Sequence, residues 1–325
     1  NCRYLSGFTG SNGYILVTSS DLLLFTDFRY IEQAGSESPH MSIIRIRDGY
    51  RSLSETIAKL SLRSVAFEPK HITYAEHKSV SESLSGDVSF TPVLNIVEEL
   101  RCEKDDFEIE ILSEAVRIAD IAMAEAANYL QVGIRECDVS GVIESALKSA
   151  GAIGTAFDTI VASGPNSALP HHKAGNRLIS KGDSVVIDMG ALYKDYRSDL
   201  SRTYFVGDSE RSKFDEIYGI VLEAQVAAEE SARPGMLGRE LDAVARDVIE
   251  GYGYGSFFGH GLGHGVGVDV HELPMVVPSS NDRILPGSVF TVEPGIYIPG
   301  WGGVRIEDVL VMGDSSAEVL TLSKK

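Results

Sequence analysis

The sequence predicts an α+β protein in two parts: a small α/β unit over residues 1–99 and a larger unit over residues 104–325. Three observations carry this reading. Short β-rich segments alternate with helical ones through the first hundred residues. Further on, a pair of amphipathic helices recurs at an offset of 102 residues, and each pair is followed by β-rich sequence carrying two acids. The larger unit therefore reads as a duplicated helix–helix–hairpin. A chain of 325 residues accommodates two domains of about 150 residues each, with a core in both.

In the first unit, residues 14–18 and 22–26 are β-rich and separated by the turn-prone Ser19-Ser20-Asp21. Residues 28–34 and 50–60 read as helices, with Ile43-Ile44-Arg45-Ile46 a strand between them. Strand alternating with helix is the pattern of a small α/β layer. The charge-dense stretch 98–106 marks the boundary. Asp105 or Asp106 then caps a long helix whose apolar positions Ile109, Leu112, Val116, Ala119, Met123 and Leu130 keep a three-or-four spacing. A second helix is expected after Asp138, ending at Gly151. Helices over 209–232 and 239–249 repeat the arrangement, with Gly133 matching Gly235, Val139 matching Leu241, Val142 matching Val244 and Gly151 matching Gly253.

Composition narrows the function. With 29 basic and 47 acidic residues the net charge is −18 and the pI about 4.8, which argues against nucleic acid or an anionic membrane as partner. No apolar run approaches the roughly 18–20 residues of a bilayer span. Residues 1–100 hold 9 basic and 12 acidic side chains, so most of the negative charge falls in the larger unit. Three cysteines, Cys2, Cys102 and Cys137, form no disulfide framework; they read as packing residues in a reducing, cytoplasmic setting.

The informative acids come in pairs. Val186-Ile187-Asp188-Met189-Gly190 resembles Thr291-Val292-Glu293-Pro294-Gly295, and Arg197-Ser198-Asp199 resembles Arg305-Ile306-Glu307. Asp188 and Asp199 centre on Tyr193-Lys194, and Glu293 and Glu307 centre on Gly300. If each segment is an antiparallel hairpin, each pair lies directly cross-strand with β-carbons about 5 Å apart. Facing carboxylates repel unless a cation joins them, and the apolar neighbours mark these strands as buried. A lone buried carboxylate costs several kcal/mol and stays protonated. Salt bridges to Arg197, Arg202 or Arg305 are the plainer alternative.

Between the hairpins runs Gly259-His260-Gly261-Leu262-Gly263-His264-Gly265-Val266-Gly267, then Val268-Asp269-Val270-His271-Glu272. Five of the eight histidines lie at 171, 172, 260, 264 and 271. The glycines exclude a helix and let backbone approach a site closely. HExxH is absent, because position 275 is Met. On an unbroken strand His264 and His271 would point to opposite faces, so spacing alone does not join them. Four carboxylates and an imidazole suit two divalent ions about 3.5–4 Å apart. That donor set favours Mn²⁺, with Co²⁺, Fe²⁺ or Zn²⁺ as alternatives, and hydrolysis is the natural chemistry.

These motifs resemble the metallopeptidase family of aminopeptidase P, prolidase and methionine aminopeptidase, with its pita-bread fold. The likeness runs over essentially the whole chain and is most specific at Ser167-Ala168-Leu169-Pro170-His171, Ile187-Asp188-Met189-Gly190, Ser198-Asp199-Leu200-Ser201-Arg202-Thr203, residues 260–272, Val292-Glu293-Pro294-Gly295 and Val304-Arg305-Ile306-Glu307-Asp308. It implies Asp188, Asp199, His264, Glu293 and Glu307 as ligands of two ions, with Asp199 and Glu307 bridging. It also implies Glu293 as acceptor of the attacking water's proton, and His171 and His271 as stabilisers at the scissile bond. His260 and Arg305 would lie on the substrate side, while His172 takes no role from the resemblance.

Tyr4-Leu5-Ser6-Gly7-Phe8-Thr9-Gly10-Ser11 and Phe25-Thr26-Asp27-Phe28-Arg29-Tyr30 resemble the N-terminal domain of the aminopeptidase P, prolidase and creatinase branch. That domain's opening strand and helix would precede Asn1. The expected activity is cleavage before proline at the second position of peptides, by a homodimer. Met275 stands where some prolidases carry Arg after His-Glu-x-Pro, which leans toward an Xaa-Pro aminopeptidase over an Xaa-Pro dipeptidase. A non-catalytic binding module on the same scaffold is the third reading; the presence of all five ligand residues disfavours it, and disfavours a metal-free creatinase.

Overall fold

The computed structural model describes residues 1–325, which divide between Leu100 and Arg101 into two compact units. The first unit pairs Gly13–Val17 with Leu22–Thr26 antiparallel, and Leu22–Thr26 with Ser42–Arg45 parallel across the helix Ile31–Glu37. Ser64–Phe67 and Ser89–Pro92 pair parallel in a separate ladder, joined through the helix Tyr74–Ser83. Thr73 caps that helix in a reciprocal box with Glu76. Leu24, Phe25 and Ile57 are buried at the centres of the unit's two apolar clusters. The boundary stretch is partly helical, over Ile96–Cys102. No helix is long and apolar enough to cross a membrane.

The second unit shows the duplication in its backbone. Helices Asp106–Tyr129 and Glu136–Ser149 make one pair; Ser212–Ser231 and Gly238–Gly251 make the other. Asp105 caps the first helix, its side chain accepting from Glu108 N while Glu108 answers to Asp105 N. The second helix begins before Asp138, not after it as expected: Asp138 lies inside the helix, and its carboxylate reaches back to the backbone N–H of Arg135. Glu240, its counterpart 102 residues on, does the same to Leu237. Gly133, Gly235, Gly151 and Gly253 all adopt positive φ, between 84° and 110°, which explains why glycine recurs at those four places.

Each half lays its helices against an antiparallel sheet. Ser184–Met189 lies between Leu200–Phe205 and Ile160–Ser163 in one. In the other, Val289–Val292 lies between Gly263–Gly265 and Asp308–Met312, with Glu272–Val276 beyond. Val185, Ile187, Val289, Phe290 and Val292 are all completely buried.

The two halves meet where Leu200–Phe205 approaches Gly302–Arg305. Arg305 N donates to Thr203 Oγ1 at 3.0 Å, Thr203 Oγ1 donates to the Arg305 carbonyl at 2.8 Å, and Glu307 N donates to the Ser201 carbonyl at 3.1 Å. Arg202, 1% exposed, fixes this seam: it donates to the Ser201 and Glu307 carbonyls and to Asp308 Oδ1 at 2.7 Å. Removing one partner of a buried ion pair typically costs about 3–5 kcal/mol. Arg202→Met is expected at the lower end of that range, because Lys325 Nζ still lies 2.6 Å from Asp308 Oδ2. Urea denaturation followed by the fluorescence of Trp301, the chain's one tryptophan, reports on this unit.

Candidate active site

The first acidic hairpin folds with a different register from the one expected. Its turn is Lys194-Asp195, both at positive φ (44° and 72°), the two-residue geometry that matches strand twist. Tyr193 pairs with Tyr196, so Asp188 faces Ser201 and sits diagonal to Asp199. The expected centre was one residue too early because Lys-Asp is not a common turn pair. The second hairpin has the expected symmetry. Ile298 pairs with Gly302 and Val292 with Asp308, which puts Glu293 opposite Glu307. The ladder is interrupted between those strands at Pro294, which has no N–H to donate.

His264 and His271 also come together, by a route that spacing did not reveal. Gly263–Gly265 and Glu272–Val276 form a hairpin with a register shift between Gly263 and Gly265. The chain turns back through residues 266–271, and the two imidazoles meet with ring centroids 4.2 Å apart. Glycine is required here. A β-carbon on Gly263 would lie 2.1 Å from the Thr291 carbonyl oxygen, and one on Gly265 would lie 2.1 Å from that of Leu273. The glycines thus permit close backbone approach, as expected.

One cavity of about 590 Å³ gathers all nine anticipated residues: Asp188, Asp199, His264, Glu293, Glu307, His171, His260, His271 and Arg305. Ligand atoms of Asp199, His264 and Glu307 lie within 4.8 Å of one another. His264 Nε2 is 3.3 Å from Glu293 Oε1 and 3.7 Å from Asp199 Oδ2, while its Nδ1–H points to the Gly265 carbonyl at 3.0 Å. Thr291 Oγ1 accepts from His264 N and donates to Glu293 Oε1. Ser201 Oγ donates to Glu307 Oε2 at 2.8 Å.

Of the three arginines offered as salt-bridge partners, Arg305 alone reaches the carboxylate of one of the four paired acids: its Nη2 donates to Asp188 Oδ2 at 2.6 Å. Arg202 turns to Asp308, and Arg197 to the carbonyl of Val268. Arg305 Nη1 also donates to the Tyr297 hydroxyl, 2.9 Å away, which lies 2.9 Å from His260 Nε2. With His260 Nδ1 held 2.7 Å from the Gly261 carbonyl, the donors run in one direction and His260 is neutral, consistent with burial lowering its pKa.

The electrostatics explain what the cluster needs. Burial first, then the neighbouring carboxylates, pushes Asp199 and Glu307 well above the usual carboxylate range. Burial also raises Asp188, with Arg305 opposing. For Glu293 burial is outweighed by the hydrogen bond and charge of His264, which hold it at about 2. Asp188 Oδ1 is buried with no hydrogen-bond partner, a condition costing about 1–3 kcal/mol. Four carboxylates thus surround one permanent cation, Arg305. An oxygen-rich set with one imidazole and an unsatisfied buried oxygen fits divalent cations.

Tyr297, Thr291 and Ser201 take part in the site without having been anticipated. Tyr297 and Thr291 lie two residues from Gly295 and Glu293, on strands whose period of two places side chains on one face. That periodicity was the one signal for Tyr297, whereas Thr291 and Ser201 also fall within the motifs around Glu293 and Asp199. Cys102 is buried, whereas Cys2 and Cys137 are partly exposed.

The profile of metallopeptidase family M24 matches residues 110–314, and that of the creatinase/prolidase N-terminal domain matches residues 1–102. The sequence is 42% identical to an uncharacterized peptidase of Bacillus subtilis, covering 100% of this chain and 92% of that one. It is 40% identical to an Xaa-Pro dipeptidase of Pyrococcus furiosus, with the same coverage. Among solved structures, an Xaa-Pro dipeptidase from Bacillus anthracis superposes with a TM-score of 0.96 at 41% identity, covering 99% of this chain and 90% of that one. An X-Pro aminopeptidase from Thermotoga maritima gives 0.89 at 38% identity, covering 98% and 88%. The catalytic-type unit with its facing acidic hairpins, and the α/β unit before it, together place this chain in metallopeptidase family M24, with a creatinase/prolidase N-terminal domain.

Proposed function

We propose that this protein is a two-metal Xaa-Pro dipeptidase. The observation that supports the metal chemistry best is the convergence of Asp199, His264 and Glu307, with ligand atoms within 4.8 Å of one another, at the wall of the 590 Å³ cavity. Asp188 and Glu293 would complete the ligand set, with Asp199 and Glu307 the carboxylates that two ions would share. Mn²⁺ is the favoured ion for this donor set. When bound, the two ions would acidify a water and polarise the substrate carbonyl.

The chain's own residues supply the remaining steps. Glu293, ionised at neutral pH, accepts a proton from the attacking water and returns it to the departing proline nitrogen. His271 is kept neutral by burial and by His264 beside it, so it can hydrogen-bond the scissile carbonyl. His171 stabilises the tetrahedral intermediate from the same cavity. Arg305, His260 and Tyr297 form a hydrogen-bonded row that orients the substrate side.

The dipeptide preference, contrary to the lean drawn from Met275, has two supports. Relatives at 40% identity from Pyrococcus furiosus and Pyrococcus horikoshii carry the name Xaa-Pro dipeptidase. Met275 does line the cavity, but Lys173 lines it too, with its side chain 88% exposed. The other fixed cation there, Arg305, is buried and engaged with Asp188. A dipeptide presents a carboxylate immediately after proline, and Lys173, whose only ion pair is an exposed one to Asp158 at 3.9 Å, is the cation available to it. The Thermotoga maritima relative keeps the aminopeptidase as the second reading.

Xaa-Pro should be hydrolysed with kcat/KM well above that for Xaa-Pro-Yaa; turnover confined to the longer peptide would establish the aminopeptidase instead. Lys173→Ala should raise KM for the dipeptide about two- to fivefold, the worth of an exposed ion pair, and leave KM for an Xaa-Pro amide unchanged.

Loss of a shared ligand should be far more severe. Metal ions supply several kcal/mol of transition-state stabilisation, so Asp199→Asn and Glu307→Gln should each lower kcat about a thousandfold or more. Elemental analysis should find less than two ions per chain in both. Near-normal turnover in either would remove the bridging assignment, and a folded wild-type chain that binds no Mn²⁺ or Co²⁺ would indicate a non-catalytic binding module. Sedimentation measurements check the expected homodimer.

A further inference from the structure

Glu136 is completely buried at the first position of the helix Glu136–Ser149, and it does not line the cavity. Its carboxylate nevertheless takes five polar contacts. Oε1 accepts from Ser163 N at 2.8 Å, Ser163 Oγ at 2.7 Å and Asn166 Nδ2 at 2.9 Å. Oε2 accepts from Gly175 N at 3.2 Å and lies 2.9 Å from His172 Nε2. Arg177 Nη1 donates to Ser163 Oγ at 2.6 Å, so that hydroxyl has its own proton free for Glu136. Burial pushes the Glu136 carboxyl up, but the donors from His172, Asn166 and Ser163 outweigh it and hold the group below its usual range.

These donors fall on both sides of one irregular segment. Ser163 and Asn166 precede it, and His172 and Gly175 follow it. Between them Leu169, Pro170 and His171 belong to no helix or strand. His171 is exposed and faces the cavity. No ladder of backbone hydrogen bonds fixes such a residue, so its place is set by what anchors the chain beside it. His172, its immediate neighbour, is half-buried and turned to Glu136.

We propose that Glu136 and His172 form a carboxylate–imidazole clamp that positions His171 against the substrate, making both of them positioning residues for the peptidase reaction. The inference rests on the reading of His171 as a group that contacts the reacting substrate. It gives His172 and the buried Glu136 a shared purpose, and it explains why the charge is placed behind the loop instead of in the cavity. Glu136→Gln keeps the shape but turns an amide N–H toward groups that are themselves donors. His172→Ala removes one jaw, and His172→Gln retains a side-chain N–H that can reach the carboxylate.

The test is a double-mutant cycle on the metal-loaded enzyme with an Xaa-Pro dipeptide. Glu136→Gln and His172→Ala should each lower kcat about 10–100-fold, the usual effect of losing a group that orients a site residue. KM should change less than about threefold, with two ions still bound per chain. His172→Gln should recover most of the loss. In a His171→Ala background, neither change should lower kcat further, because residues acting through one another are not additive. Multiplicative losses in that background, or wild-type kcat in both single variants, would overturn the clamp. Should Glu136→Gln not fold, His172→Ala at its half-buried position decides the same question. Wild-type turnover in His171→Ala alone would instead sink the role given to His171, and the clamp with it, whatever the state of the metal site.

Discussion

The centre of the catalytic-type unit is governed by a charge imbalance. Asp188, Asp199, Glu293 and Glu307 are brought together by two hairpins, and the protein supplies a single buried guanidinium, Arg305, in direct contact with only one of them. Packing does not resolve this. Burial and mutual repulsion drive Asp199 and Glu307 toward the protonated form, while His264 keeps Glu293 ionised. A core of apolar residues at these positions would be more stable, as buried ionic clusters generally are not worth their desolvation. The cluster is intelligible as a donor set that divalent ions neutralise, with stability given up for chemistry.

The duplication makes that arrangement possible. Each half contributes one hairpin with two acids, and the halves join through Thr203 with Arg305 and through Ser201 with Glu307. This seam sets the approach of Asp199 to Glu307, one from each half. It is built from backbone and short hydroxyl side chains, which have little rotamer freedom to lose. Arg202 completes it from behind by tying the Ser201 and Glu307 carbonyls together. The acids are thereby held by the most regular part of the structure.

Much of this was legible in the sequence, and the exceptions have physical causes. The repeated Gly133/Gly235 and Gly151/Gly253 pairs were visible because a positive φ leaves a glycine behind at each copy. The Glu293–Glu307 pairing followed from symmetry about Gly300. The register of the first hairpin did not, since Lys194-Asp195 forms a tight turn without the Asn-Gly signal on which such a reading depends. His264 and His271 were unreadable as neighbours because a hairpin and a bulge, not strand alternation, bring them together. Asp138 resembles an N-cap by residue type, yet it acts from within the helix. Glu136 gave no signal at all: a single acid among many in an acidic chain shows its importance only through five contacts from four residues, Ser163, Asn166, His172 and Gly175.

The same division between regular and irregular structure separates the carboxylate cluster from two of the histidines beside it. The carboxylates and His264 lie on or beside paired strands, where a small displacement would disturb a whole ladder. His171 and His271 instead sit on loops at the rim, and each loop is fastened by buried charge. Behind His271, Glu272 is held by Arg101 and by Lys104, whose Nζ lies 3.2 Å from Glu272 Oε1; Asp269, in the same loop, takes a second contact from Arg101. Behind His171 stands Glu136. A loop anchored in this way can exchange an exposed residue such as Lys173 without moving the histidine beside it. Relatives that share this fold at TM-scores of 0.89 and 0.96 bear different peptidase names, so the shared fold does not by itself fix which peptide is cut.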